Sequence, residues 1–361
     1  SQSVFLIFII SGLLAVLSYF SAEPLMSIIG AGPEIYDDSV AYFKVSSFGF
    51  IFLFMFFIFQ SLMRGIGNVM LPVYIILITV FLNLVLDPLF IYGYGPIPGY
   101  GVAGAAWASV ITQGISAVIG IAILLRGKHG IKISFSSMYP DMKSLRKIFK
   151  LGFPASVEQS TRALGMTMMI IIVTSFGSEI VAAYGIGARI LSLIVIPALG
   201  LGIATTSLVG QNIGARKIKR AEQVANLSNK IAFFGLTGLG IILFIVAEPL
   251  TAFFIPNDPD VIRDGALFIK IMAPSFGLLG VQQVMNGTFN GAGFTKASML
   301  ISIMSLWVVR FPLAYVLSYN TSLGYEGIWW SFPISNLIAA IAGYVYFKMG
   351  YWKMRAFRIR N

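Results

Sequence analysis

The chain has 361 residues, of which 57% are hydrophobic and 11% charged, whereas a soluble domain carries about 25% charged residues. A water-soluble globular protein is therefore excluded; with no Cys and a single His129, so are disulfide scaffolds, thiolate metal sites and most imidazole chemistry. A formal charge of +11 suits nucleic acid only where the basic residues share a soluble face, and their positions show that they do not.

A bilayer core about 30 Å thick takes about 20 apolar helical residues. Stretches of that kind occur at 4–22, 46–63, 69–91, 101–125, 151–175, 183–209, 230–246, 271–288, 297–318 and 327–347, so the fold class is an all-α polytopic membrane protein with about ten spans. The first stretch lacks the basic leader and the small-residue cleavage site of a signal peptide, and is a retained helix. Between the fourth and fifth spans, segment 126–150 carries seven basic residues. Asp141 can cap a helix there, in which Leu145, Ile148 and Phe149 alternate with Lys143, Arg146, Lys147 and Lys150, a pattern suited to the inner interface.

Nineteen basic residues fall on one side of these spans, against Lys44, Arg263 and Lys270 on the other. Basic excess marks the cytoplasmic face, so the chain is expected in a plasma or inner membrane, multi-pass, with the linker 126–150 and the basic tail 348–361 cytoplasmic. The positive charge then records topology and contact with anionic lipid, and no nucleic acid partner is expected.

The chain also repeats itself. Ala22-Glu23-Pro24-Leu25 recurs as Ala247-Glu248-Pro249-Leu250; Pro33, Asp38 and Lys44 fall on Pro259, Asp264 and Lys270; Gly65 and Gly67 on Gly291 and Gly293; Gly101 and Gly104 on Gly324 and Gly327. Six spans separate equivalent positions, an even number, so the copies run in the same direction through the membrane. The expected organisation is a remainder of a first lobe at 1–125 with four spans, the linker 126–150, and a six-span second lobe at 151–347. The parent protein would have twelve spans, and this chain would be N-terminally truncated by two helices.

Five charges remain at membrane depth: Asp87, Glu158, Arg162, Arg189 and Arg310. Each costs at least about 2.5 to 3.5 kcal/mol there, so function or pairing is the default explanation. Asp87 follows Asn83 by one helical turn and precedes Pro88, which should bend the helix and free carbonyl oxygens. That set can hold Na⁺; a carboxylate in apolar surroundings can equally carry a proton. Glu158 and Arg162, four residues apart, suit a mutual ion pair, and Arg189 and Arg310 lie near enough to span ends to snorkel. Gln60, Gln282, Gln283 and Asn286, with Met63, Met285 and the Phe-rich segment 48–59, suit either a cavity for varied lipophilic molecules or ordinary helix contacts, and Glu158 can face the same cavity.

The series Arg64-Gly65-Ile66-Gly67-Asn68, Asn83, Leu86-Asp87-Pro88-Leu89, Gly101-Val102-Ala103-Gly104, Gly152-Phe153-Pro154 and Val209-Gly210-Gln211-Asn212-Ile213-Gly214 resembles the multidrug and toxic compound extrusion (MATE) family, and within it the prokaryotic DinF-like subgroup. The resemblance implies a monomeric antiporter that exports organic cations and lipophilic drugs by alternating access, driven by transported H⁺ or Na⁺ and without a cofactor. It carries the coupling role to Asn83 and Asp87. No acid lies between Phe276 and Gly291, where another subgroup of the family has one, and Ala105 stands where a hydroxyl residue is often found.

Two alternatives differ from this. A lipid-linked oligosaccharide or polysaccharide flippase of the same superfamily would want several basic residues for a pyrophosphate, and only Arg162, Arg189 and Arg310 are at hand. An intramembrane enzyme needs a catalytic constellation within the bilayer, which one loop histidine and scattered acids do not supply, so enzymatic activity is not expected.

Overall fold

The structure, a computed structural model, describes residues 1–30, 32–96, 98–134 and 139–353. Its regular elements are helices: α1 (Gln2–Phe20), α2 (Ala22–Ile29), α3 (Pro33–Gly65), α4 (Met70–Tyr92), α5 (Val102–Arg126), α6 (Met142–Thr174), α7 (Ser178–Gly214), α8 (Ile218–Ile245), α9 (Ala247–Phe254), α10 (Pro259–Met272), α11 (Phe276–Gly291), α12 (Thr295–Ile303), α13 (Phe311–Tyr319) and α14 (Glu326–Lys348). A 3-10 turn, Ala273–Ser275, joins α10 to α11, and a π-helical stretch, Met304–Arg310, joins α12 to α13. Of the basic tail, residues 354–361 with Arg355, Arg358 and Arg360 lie outside the described residues.

Among the described residues, nine helical stretches are long and apolar enough to cross a membrane. The tenth expected span lies in α6, where Glu158, Gln159 and Arg162 lower the mean hydropathy. Two helices begin well before their expected starts. Pro33 opens α3 at its first position, where a missing N–H costs nothing. Asp141 accepts the backbone N–H groups of Lys143 and Ser144 at 3.1 and 3.2 Å, so the amphipathic segment and the following span are one continuous helix.

The repeat is visible in the backbone. α2 and α9 are both eight-residue helices, and Pro33 and Pro259 both open the helix that follows. Gly67 and Gly293 have φ of 84° and 70°, and Gly101 and Gly324 both have φ of 55°, left-handed values that glycine adopts without strain.

The chain divides into two compact units, Ser1–Ile148 and Phe149–Asn361. In the first, α3 packs on α1 and α5, and α4 packs on α5. Its core joins Phe56, Phe59 and Met63 of α3 to Leu124 of α5 and Ile75 of α4. In the second, α11 packs against α7, α8 and α14. Its crossing with α7 depends on the absence of side chains: a Cβ at Gly287 would stand 2.2 Å from the Gly202 carbonyl oxygen. The close approach lets Thr206 Oγ1 donate to the Gly287 carbonyl at 3.0 Å, a small-residue interface of the kind that joins helices where lipid offers no competing hydrophobic drive.

Candidate functional site

In the first unit, Asn83 Nδ2 donates to Asp87 Oδ1 at 3.3 Å, and both side chains are half-buried. The one-turn spacing on α4 brings them together, as expected. The bend expected at Pro88 is not a break, because α4 runs on to Tyr92. The carbonyls beyond the proline are engaged as well: Tyr100 N–H donates to Phe90 O at 2.9 Å and Gly101 N–H to Ile91 O at 3.2 Å. These are the open carbonyls of the helix's last turn, and they bond the loop that follows. Among the described residues, no Lys or Arg forms an ion pair with Asp87.

The second unit holds a denser site. Arg162 Nη2 donates to Glu158 Oε1 at 2.7 Å, confirming that these two residues of α6 pair, and its Nη1 donates to Gln283 Oε1 at 2.6 Å. Asn286 Nδ2 donates to Glu158 Oε1 at 3.2 Å, and Asn290 Nδ2 to Oε2 at 3.4 Å. Gln283, Asn286 and Asn290 are spaced three and four apart, so they share one face of α11. Behind them, Ser298 Oγ donates to Asn290 Oδ1 at 2.6 Å, and Asn286 Nδ2 lies 3.4 Å from Ser302 Oγ. The Glu158 side chain is 4% exposed. A carboxylate this deep survives because one guanidinium and two amides face it. Arg162 Nε and Asn286 Oδ1 are buried without a partner. Ser298 and Ser302 were not singled out from sequence; their four-residue spacing inside an apolar span is the signal that points to them.

Other expected site residues fall elsewhere. Met63 and Met285, expected at a cavity, are fully buried in side-chain cores. Met63 packs beneath Phe59, whose ring is admitted by Gly120, and Met285 Sδ receives the Asn229 amide at 3.9 Å. Gln60 accepts from Arg64 Nη1 at 3.1 Å. Gln282 is buried in α11 with Gln283 and Asn286. Arg189 is exposed. Arg310 does not reach for a span end: its Nε donates to Ser335 Oγ and its Nη2 to Asn336 Oδ1, each at 2.7 Å, and the guanidinium lies 4.6 Å from the centre of the Phe332 ring.

Comparison with known proteins places these features. The MatE family model matches residues 1–89 and 154–316. The probable multidrug resistance protein YpnP of Bacillus subtilis is 28% identical over 93% of this chain and 73% of its own length. The probable multidrug resistance protein NorM of Thermotoga maritima is 29% identical over 91% of this chain and 70% of its own length. A crystal structure of MATE in the bent conformation superposes with a TM-score of 0.90 at 24% identity, over 98% of this chain and 78% of that one, a likeness of fold.

Proposed function

The chain belongs to the MatE family, and on that premise we propose that it exports lipophilic and cationic compounds by alternating access in exchange for H⁺ or Na⁺, with Asp87 as the coupling carboxylate and Asn83 beside it. The observation that carries this reading is Asp87 itself: a carboxylate inside a membrane-spanning helix whose side-chain partner is one neutral amide at 3.3 Å. An unpaired charge at that depth is costly, so the group gains by taking a proton or a cation and gives it up when water reaches it. Glu158 is supported less as the coupling group, because Arg162 already neutralises it. The multidrug resistance proteins among the relatives do not favour the flippase alternative.

In this reading the protein is a multi-pass transporter without enzymatic activity or a bound cofactor. It works as a monomer in the plasma or inner membrane, with segments 126–150 and 348–361 cytoplasmic. The test is dye efflux from proteoliposomes under an imposed H⁺ or Na⁺ gradient. Asp87→Asn should abolish gradient-driven efflux while the protein remains folded, and the gradient that drives the parent protein names the ion. Efflux that persists in Asp87→Asn with unchanged ion dependence would sink the assignment.

One observation favours a second reading. The partnerless Asn286 Oδ1 beside Glu158 offers an oxygen to a cation, which would move the coupling to the second unit. Glu158→Gln in the same assay separates the two.

A further inference from the structure

Arg310 is a charge within a membrane-spanning stretch that the mechanism above leaves unused, and the repeat gives it a meaning. Gly67 and Gly293, both left-handed, stand 226 positions apart. Beyond them, Gly104 closes on the Phe90 carbonyl and Gly327 on that of Leu317, so the equivalent helix ends Phe90 and Leu317 stand 227 apart. The second copy has gained one residue between these landmarks, and the π-helical stretch Met304–Arg310 lies there. A π-bulge is how a helix accommodates one inserted residue, and such bulges concentrate at functional sites. Counting back from Leu317, Arg310 occupies the position of Asn83 and the buried Ala314 that of Asp87. Where the first copy places a carboxylate beside an amide, the second places a guanidinium beside a methyl group.

The surroundings of Arg310 leave that charge uncompensated. Two of its nitrogens are held by Ser335 and Asn336, and one face of the guanidinium is covered by Phe332. These are neutral groups, and among the described residues no carboxylate pairs with it. Asn336 is itself fixed by donating to Ser275 Oγ at 3.2 Å, so the guanidinium is oriented in advance. Arg310 also lines a notch with Met168, Met169, Trp307 and Phe311. Gly165 contributes no side chain to the α6 wall of this notch, and the rings of Trp307 and Phe311, 6.3 Å apart, with the half-buried Met168, offer a polarizable apolar surface around it, whereas Met169 is buried in the core.

The geometry points to an anion-binding subsite at Arg310, in which the carboxylate of an aromatic carboxylic acid pairs with the guanidinium while its ring system lies on Trp307, Phe311 and Met168. The inference rests on the transporter reading for its purpose, since the bound anion would be cargo. The ligand supplies the counter-charge the protein omits, and a fixed planar guanidinium matches a carboxylate better than it matches any cation. The first copy, with Asp87 at the equivalent region, is then the half that favours cations.

The test uses the full chain in lipid nanodiscs and two probes of one shape, pyrene-1-carboxylate and 1-pyrenemethylammonium, with equilibrium binding read by fluorescence anisotropy. Arg310→Gln should weaken the carboxylate probe by about tenfold or more, the scale of one charge-assisted contact, and leave the ammonium probe within about twofold. Arg310→Lys should fall between, keeping the charge and losing the fork. If Arg310→Gln does not fold, Gly165→Leu, which fills the same notch from α6 and keeps the guanidinium in the chain, should weaken the carboxylate probe alone. Equal binding of the carboxylate by parent and Arg310→Gln, equal loss of both probes, or displacement of the carboxylate by phosphatidylglycerol vesicles at far lower concentration than by free benzoate would overturn the proposal; the last would identify a lipid headgroup site. Binding needs no ion gradient, whereas gradient-driven efflux of the ammonium probe tests the transporter reading, so the two can fail separately.

Discussion

The guanidinium of Arg162 bridges Glu158, one turn before it on α6, and Gln283 on α11, at 2.7 and 2.6 Å. Local and long-range structure meet in that one side chain: the first bond follows from sequence spacing, and the second ties two helices of the unit together.

Removing one member of this pair should cost far more than removing both charges. Arg162→Met leaves Glu158 a buried carboxylate faced only by amides, a loss of about 3 kcal/mol or more. The double variant Glu158→Gln, Arg162→Met should recover most of it, because no uncompensated charge remains. A double-mutant cycle in chemical denaturation of the detergent-solubilised protein measures the difference; a loss below about 1 kcal/mol in Arg162→Met would show the pair to be a surface-like bridge.

Asn83 should tune the neighbouring acid without replacing it. Asn83→Ala removes the amide that faces Asp87, and the apparent affinity for the driving ion should fall by about threefold to tenfold, the equivalent of about 1 kcal/mol. Maximal efflux at saturating gradient should persist, in contrast to Asp87→Asn. Efflux measured against ion concentration in both variants checks the contrast.

The α7–α11 crossing should tolerate no side chain at Gly287. A methyl group there meets the Gly202 carbonyl oxygen at 2.2 Å, so Gly287→Ala should destabilise by about 1 to 3 kcal/mol and lower the melting temperature. Gly238, in the middle of α8 with open space around its Cβ direction, is the control. Gly238→Ala should be neutral or stabilising by up to about 1 kcal/mol, since alanine loses less backbone freedom.

The start of α6 should be sensitive to acid. The Ser144 hydroxyl donates to Asp141 Oδ2 at 2.5 Å, and this bond, with the Lys143 N–H, holds the Asp141 carboxyl below its ordinary value. A depressed folded-state value means that the cap contributes fully above the ordinary carboxylate range and is lost as pH falls through the lower, folded value. Hydrogen exchange over residues 143–148, compared between the parent and Asp141→Asn, reads this directly. The parent's protection, corrected for intrinsic rate, should fall on acidification while that of the uncharged asparagine cap stays level. Identical pH profiles would show that the carboxylate does not control the turn.

Much of this was legible without coordinates. The spans follow from length and apolarity and the repeat from recurring motifs, while the Asp141 cap, the Asn83–Asp87 face and the Glu158–Arg162 pair follow from spacing along a single helix, because a period of 3.6 residues fixes which side chains share a face. Length and apolarity also fixed the class, since a backbone in lipid has no partner for its polar groups other than itself. The tertiary structure decided which faces meet. The convergence of Asn286 and Asn290 on a glutamate more than a hundred positions earlier, the retreat of Met63 and Met285 into cores, and the inward hold on Arg310 depend on how closely neighbouring helices approach. That approach is set by contacts such as Gly202 against Gly287 and Gly120 against Phe59, between residues far apart in the chain, and hydrophobic periodicity within one helix carries no information about its partner.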